Sequence, residues 1–202
     1  MSKALLVWFL MVIALTTIVL ADNVHAANSF HGIITSNATW TKANSPYSLD
    51  GPTAIDSGVT ITIEPGVTVN LNGYYIQVNG TLIAKGTGNE KIYFNNGEIR
   101  YTSVSNGWNE QTGSGSIFEN TITDSLETGV SLKITKNTFN TLSVGGSSIV
   151  MDNTIRSLDA WDTSTVTNNE ITETCTVGGS AQVKSNNIDA RLIFIGSYRR
   201  GF

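Results

Sequence analysis

Apolar and polar residues alternate along much of this chain with a period of two, the pattern of half-buried strands rather than helices. Val59, Ile61 and Ile63 lead to Glu64-Pro65-Gly66, and Val67, Val69 and Leu71 lead to Asn72-Gly73. Ile76 and Val78 then precede Asn79-Gly80, and Ile92 with Phe94 precedes Asn95-Asn96-Gly97. Each run predicts a strand closed by a turn whose residues tolerate φ > 0. Hairpins are the rival reading of the Asn-Gly pairs. Parallel coils are preferred, because the same turn spacing passes without a change of composition into a second, more regular stretch.

In that stretch, from Ser116 to Ile195, a short phrase recurs. Asn120-Thr121-Ile122 is answered by Asn137-Thr138-Phe139, Asn153-Thr154-Ile155, Asn169-Glu170-Ile171 and Asn186-Asn187-Ile188, so the asparagines return at nearly equal intervals. That period is too short for the paired helices of common helical repeats, and the intervening Thr, Ser, Val and Ile favour strands. Each unit predicts one coil of a β-solenoid. Asn120, Asn137, Asn153, Asn169 and Asn186 are then expected to hold left-handed corners, which Asn tolerates better than any residue but Gly. Stacked about 4.8 Å apart along the axis, they would pass amide hydrogen bonds from rung to rung. The apolar residues two places on, Ile122, Phe139, Ile155, Ile171 and Ile188, are expected to point inward. A column of Thr121, Thr138 and Thr154 beside the ladder reads as β-propensity on an exposed face.

The chain divides into three parts. Residues 1–26 carry Lys3, an apolar run from Ala4 to Ala21 and the small-residue site Val24-His25-Ala26, the layout of a secretory signal peptide. The run also reaches the lower limit of a membrane span, so an uncleaved anchor is the alternative. Either way the remainder is expected to be secreted or held at the cell surface, meeting the membrane only through this segment. Residues 27–58 lack strict periodicity and read as an N-terminal cap over the open end of the solenoid, with Trp40 and Tyr47 as packing residues. Residues 59–202 form the solenoid.

The run from Gly58 to Val69 (GVTITIEPGVTV), followed by Ile76 to Thr87 (IQVNGTLIAKGT), resembles the opening rungs of right-handed parallel β-helix proteins of the pectate-lyase-like superfamily, and in wording is closest to exported surface proteins. The resemblance covers Trp40 to about Phe94 well and the asparagine repeats more loosely. It implies an all-β fold, a single-stranded right-handed parallel β-helix of roughly eight rungs with an N-terminal cap. Because that scaffold hosts lyases, hydrolases, adhesins and stalk modules alike, it says much about fold and little about function.

Charge and chemistry narrow the choice. The 202 residues carry a net charge of -4, which offers no basic footprint for nucleic acid. The one cysteine, Cys175, excludes an internal disulfide framework and reads as a buried filler. The resemblance implies, for a lyase, acidic Ca²⁺ ligands with an arginine base, and for a related hydrolase, aspartates with a histidine. The two histidines, His25 and His31, both precede the solenoid. The nearest approach to a lyase site is Asp159 and Asp162 with Arg156, joined by Glu173, Asp189 and Arg191 from neighbouring rungs. No cofactor is expected, the alternative being that a few of these acids hold a structural Ca²⁺. Copper would need His31, Cys175 and Met151, which are far apart in sequence.

No catalytic residue, cofactor or metal is assigned. The loop between Glu98 and Gly115 places Trp108, Asn109 and Glu110 where a solenoid projects binding residues. The expected function is a non-catalytic secreted or cell-surface module, structural or adhesive, contacting glycans or envelope proteins. The rival is a degenerate polysaccharide lyase.

Overall fold

The computed structural model describes residues 28–195. The segment expected as a signal peptide lies outside the described residues. Within them the chain is all strand apart from one 3₁₀ turn, Lys42–Asn44. Every pairing between strands is parallel, and the strands fall into two sheets. The fold is a parallel β-helix.

The shorter sheet stacks eight strands: Ala38–Trp40, Thr60–Ile63, Thr81–Lys85, Ile117–Glu119, Lys133–Thr135, Ile149–Met151, Thr165–Thr167 and Gln182–Lys184. The eleven-stranded sheet carries the rest of each rung and is bent along its length. Two short strands, Thr68–Asn70 and Tyr75–Val78, pair with separate halves of the single strand Ile92–Tyr101. Farther on the bend falls at Asp124, Asn140 and Arg156, the positions left out of register between neighbouring strands. The sequence explains it: strict alternation breaks there into two consecutive outward residues, Asp124-Ser125, Asn140-Thr141 and Arg156-Ser157, before Leu126, Leu142 and Leu158 turn inward. Each rung therefore has three sides.

On the shorter sheet the steps from Ile117 to Lys133, Ile149 and Thr165 are equal, and the next, to Gln182, is longer by a single residue. That extra residue sits at the bend, where Thr172 and Glu173 stand opposite Arg156. Earlier rungs are longer, and the step from Ile83 to Ile117 is the longest because a loop is inserted in it.

Inward residues stack in columns. Ile63, Ala84, Phe118, Ile134, Val150 and Val166 line the shorter sheet, and Ile76, Ile99, Leu126, Leu142, Leu158 and Cys175 line the far limb of the longer one. All are essentially inaccessible, each large aliphatic side chain contributing about 1.5–3 kcal/mol by leaving water. At the N-terminal end Phe30, Trp40 and Tyr47 stack with ring centroids 5.0–5.7 Å apart, and the Tyr47 hydroxyl accepts the Thr41 amide at 2.7 Å. Asn28–Ile34 and Ala38–Trp40 are the end strands of the two sheets and Tyr47–Ile55 is the second strand of the longer one, so residues 28–55 continue the coil at its N-terminal end.

Candidate functional site

The asparagine ladder is the most ordered polar feature of the molecule. Asn137, Asn153 and Asn169 are buried, and along the ladder each side-chain oxygen accepts from the rung before it. Asn153 Oδ1 takes both the backbone N–H and the Nδ2 of Asn137, at 2.8 and 3.0 Å. Asn169 Oδ1 takes the same two groups of Asn153 at 2.9 Å, and Asn186 Oδ1 those of Asn169 at 2.8 and 2.9 Å. Nδ2 also reaches carbonyl oxygens, as with Asn153 to Ile134 and Met151 at 3.0 Å. The amides thus satisfy buried corner groups that water cannot reach.

Two parts of the expected ladder are corrected. Asn120 is not a member: Asn137 Oδ1 accepts the amide of Thr121, while Asn120 Nδ2 donates to the Gly86 carbonyl at 3.2 Å. The ladder asparagines also do not take the left-handed conformation. That falls on the residue before each, Lys136, Asp152, Asn168 and Ser185 at φ 56–60°, and Asn120 at φ 50° is their counterpart in the preceding rung. The phrase Asn-Thr-Ile at 120–122 therefore repeats one residue out of frame. Thr123, not Ile122, faces Phe139, and Ile122 pairs with Thr138 outside. Thr121 and Thr123 are buried instead, their hydroxyls 3.1 Å apart. The outer threonine column shrinks to Thr138 and Thr154.

The inserted loop, residues 102–116, folds back on the rungs beside it. Asn106 donates its backbone N–H to the Gly80 carbonyl at 2.9 Å and its Nδ2 to Thr81 Oγ1 at 3.2 Å. Ser116 Oγ donates to the Asn106 carbonyl and accepts the Leu82 amide. Asn109 Oδ1 accepts the amides of Gln111 and Thr112, which rounds the tip. Gly115, at φ +110°, passes so close to Gly107 that a Cβ would lie 1.9 Å from its carbonyl oxygen. The loop is built rather than merely inserted.

Of the three residues expected to contact a ligand there, Trp108 is half-buried and already engaged. Its Nε1 donates to Glu110, the Lys133 ammonium lies 4.9 Å from the ring centroid, and its backbone N–H donates to the Ser131 carbonyl. Asn109 alone of the three lines the groove beside the loop. The loop and the outer face of the shorter sheet enclose a groove of about 590 Å³ lined by Thr60, Thr81, Ile83, Asn106, Gly107, Asn109, Thr112, Ser114 and Gly115. A second depression of about 310 Å³, lined by Asn37, Ala38, Thr39, Thr60 and Thr62, shares Thr60 with it. Nothing in the alternation of Thr60 and Thr62 marks them as lining anything, because the groove depends on where the loop returns.

The acids of the rival reading do not converge. Arg156 Nε pairs with Glu173 at 2.9 Å at the bend, and Glu173 also accepts from Ser157 Oγ. Asp162 Oδ2 instead accepts the Gly146 amide at another corner. Asp159 stands opposite Ser143 and Thr176 on the far limb. Among the described residues no three His, Cys, Asp or Glu side chains are grouped to hold a metal ion.

Burial pushes the Cys175 thiol up, and the Asp159 carboxylate adds to it. Burial also pushes the Tyr101 phenol well up, and its hydroxyl has no hydrogen-bond partner. Hydrogen bonding from Ser29, then from exposed His31 at 2.8 Å, holds the Asp50 carboxyl below its usual range. No described helix is long and apolar enough to cross a membrane. Compared with family models, curated proteins and solved structures, the chain matches none.

Proposed function

We propose that the chain is an exported, non-catalytic module of the pectate-lyase-like kind, a stiff parallel β-helix that contacts glycans at the cell surface or outside the cell. The observation that carries this reading is the groove beside the inserted loop, where a rigid sheet and a self-braced loop present hydroxyls, amides and backbone groups in the open. An open polar groove suits a hydroxyl-rich chain better than a small apolar ligand, which needs enclosure. The export reading rests on the charge and apolar pattern of residues 1–26.

The reading against catalysis rests on what the candidate acids already do. Arg156 is paired with Glu173, and Asp162 holds a corner amide, so neither is poised as a base or a Ca²⁺ ligand. The test is a glycan array with and without Ca²⁺, followed by a product assay on the polysaccharides that are retained. Saturable binding without cleavage is the expected result. Calcium-dependent release of unsaturated sugars would replace this reading with a lyase.

A further inference from the structure

The two depressions on the outer face of the shorter sheet meet at Thr60 and run along the helix axis, across the first rungs. In register, Thr39 lies beside Thr62 and Thr62 beside Ile83, while Thr60 lies beside Thr81. Successive side chains of such a column repeat at about 4.8 Å, close to the length of one pyranose in an extended glycan. The hydroxyls of Thr39, Thr60 and Thr62 have no protein partner among the described residues, and Thr39 is exposed while Thr60 and Thr62 are half-exposed. Ile83 interrupts them with one apolar patch, of the size that a sugar C–H face covers. The loop supplies the wall, through Asn106, Asn109 and Thr112.

Charge decides the class of ligand. Neither depression is lined by a single Asp, Glu, Lys, Arg or His. A uronate or sulfated chain would leave its anions unpaired there and is bound better where Arg or Lys can meet it. A neutral chain loses nothing, because each of its hydroxyls can both donate to and accept from Thr and Asn side chains. Asn37, Ala38 and Thr39 lie on or beside the edge strand, but the rest of the site, from Thr60 and Thr62 to Ile83 and the loop, lies on the face of the sheet, where no main-chain row is open to an added peptide strand.

Resting on the glycan-contacting reading above, we infer that this groove, and not the Trp108 surface, is the binding site, and that its ligand is a linear neutral oligosaccharide. Thr39, Thr60, Thr62 and Asn109 supply the polar contacts and Ile83 the apolar one.

The test titrates the full chain in mild detergent with linear gluco-, manno- and xylo-oligosaccharides and with oligogalacturonate of matched length. The wild-type protein is compared with Thr60→Arg, Thr112→Arg and Trp108→Ala, each checked for an unchanged melting midpoint. Thr112 is exposed, so its variant remains informative if Thr60→Arg folds poorly. Binding of a neutral oligosaccharide that weakens about tenfold or more in the arginine variants, and changes less than about twofold in Trp108→Ala, is the expected result. Binding of oligogalacturonate alone, or loss on Trp108→Ala with retention in the arginine variants, overturns this inference while leaving a glycan-contacting module standing. No binding of any sugar removes both.

Discussion

Asn153 is the point at which the asparagine ladder can be broken most cleanly. Its side chain is buried, accepts two hydrogen bonds from Asn137 and shares its two amide protons among Asn169 Oδ1 and the carbonyls of Ile134 and Met151. Asn153→Ala removes all of these without adding bulk. Each lost bond costs about 1 kcal/mol net, and the Asn137 amide, left buried without an acceptor, adds about 1–3 kcal/mol. Some carbonyls keep other partners, so a total of about 4 kcal/mol is expected. For a chain of this length each kcal/mol moves the melting midpoint by about 2–4 °C, which gives a fall of roughly 8–16 °C. The left-handed residue at this corner is Asp152, so backbone strain does not enter the sum.

The control is Asn140→Ala, at the exposed bend, where the lost contact is one bond to Asp124 at 3.2 Å. It should shift the midpoint by less than about 2 °C, the scale of an exposed substitution. Thermal unfolding followed by far-ultraviolet circular dichroism measures both. Equal small shifts in the two variants would refute the reasoning, since they would mean that the ladder amides exchange their bonds with water at no cost.

Three further predictions follow from buried polar groups and from the loop. Tyr101→Phe removes a buried hydroxyl that forms no well-placed hydrogen bond, although the Ser116 hydroxyl stands near it, and it should raise stability by about 1 kcal/mol in denaturant titration. Thr121→Val and Thr123→Val should each cost about 1 kcal/mol by orphaning the other hydroxyl, whereas the double variant should lie within about 0.5 kcal/mol of wild type, so the cycle reads a coupling. Gly115→Ala sets a Cβ against the Gly107 carbonyl at a backbone angle that only glycine adopts freely. Limited proteolysis should then cut between residues 102 and 116 while the melting midpoint of the coil stays nearly fixed, and neutral-sugar binding should fall with the wall.

Much of the fold is legible in the sequence because a parallel coil repeats its chemistry. Alternation at Val59, Ile61 and Ile63 and the recurring asparagines follow directly from one inward face and one corner per rung. The frame at Asn120 is where repetition misleads. Its interval to Asn137 equals that from Asn169 to Asn186, but the second includes an extra residue at the bend Thr172–Glu173 and the first is a shift of frame. Only the pairing partner separates the two, and sequence spacing carries no partner. Ile122 illustrates the consequence, since burying it would expose Thr121 and Thr123 and break their mutual bond.

The candidate site was less legible. Trp108 stands out in a loop, but its indole N–H and ring face are occupied by Glu110 and Lys133, the first from its own loop and the second from the next rung. The groove draws on residues from Asn37 to Gly115, and no single stretch of sequence contains it. The acids that resembled a lyase cluster are near one another in sequence, yet the bend and the corner assign Arg156 and Asp162 to different partners.

The fold rests on rungs stacked in one register, which the ladder holds from Thr121 to Asn186, so that register is the central claim. Hydrogen exchange of side-chain amides, read by NMR, tests it most directly. Asn137, Asn153 and Asn169 Nδ2 protons should be protected as strongly as the backbone amides of the neighbouring strands, while those of exposed Asn140 exchange at once. Equal, fast exchange at all four residues would contradict the stacked register.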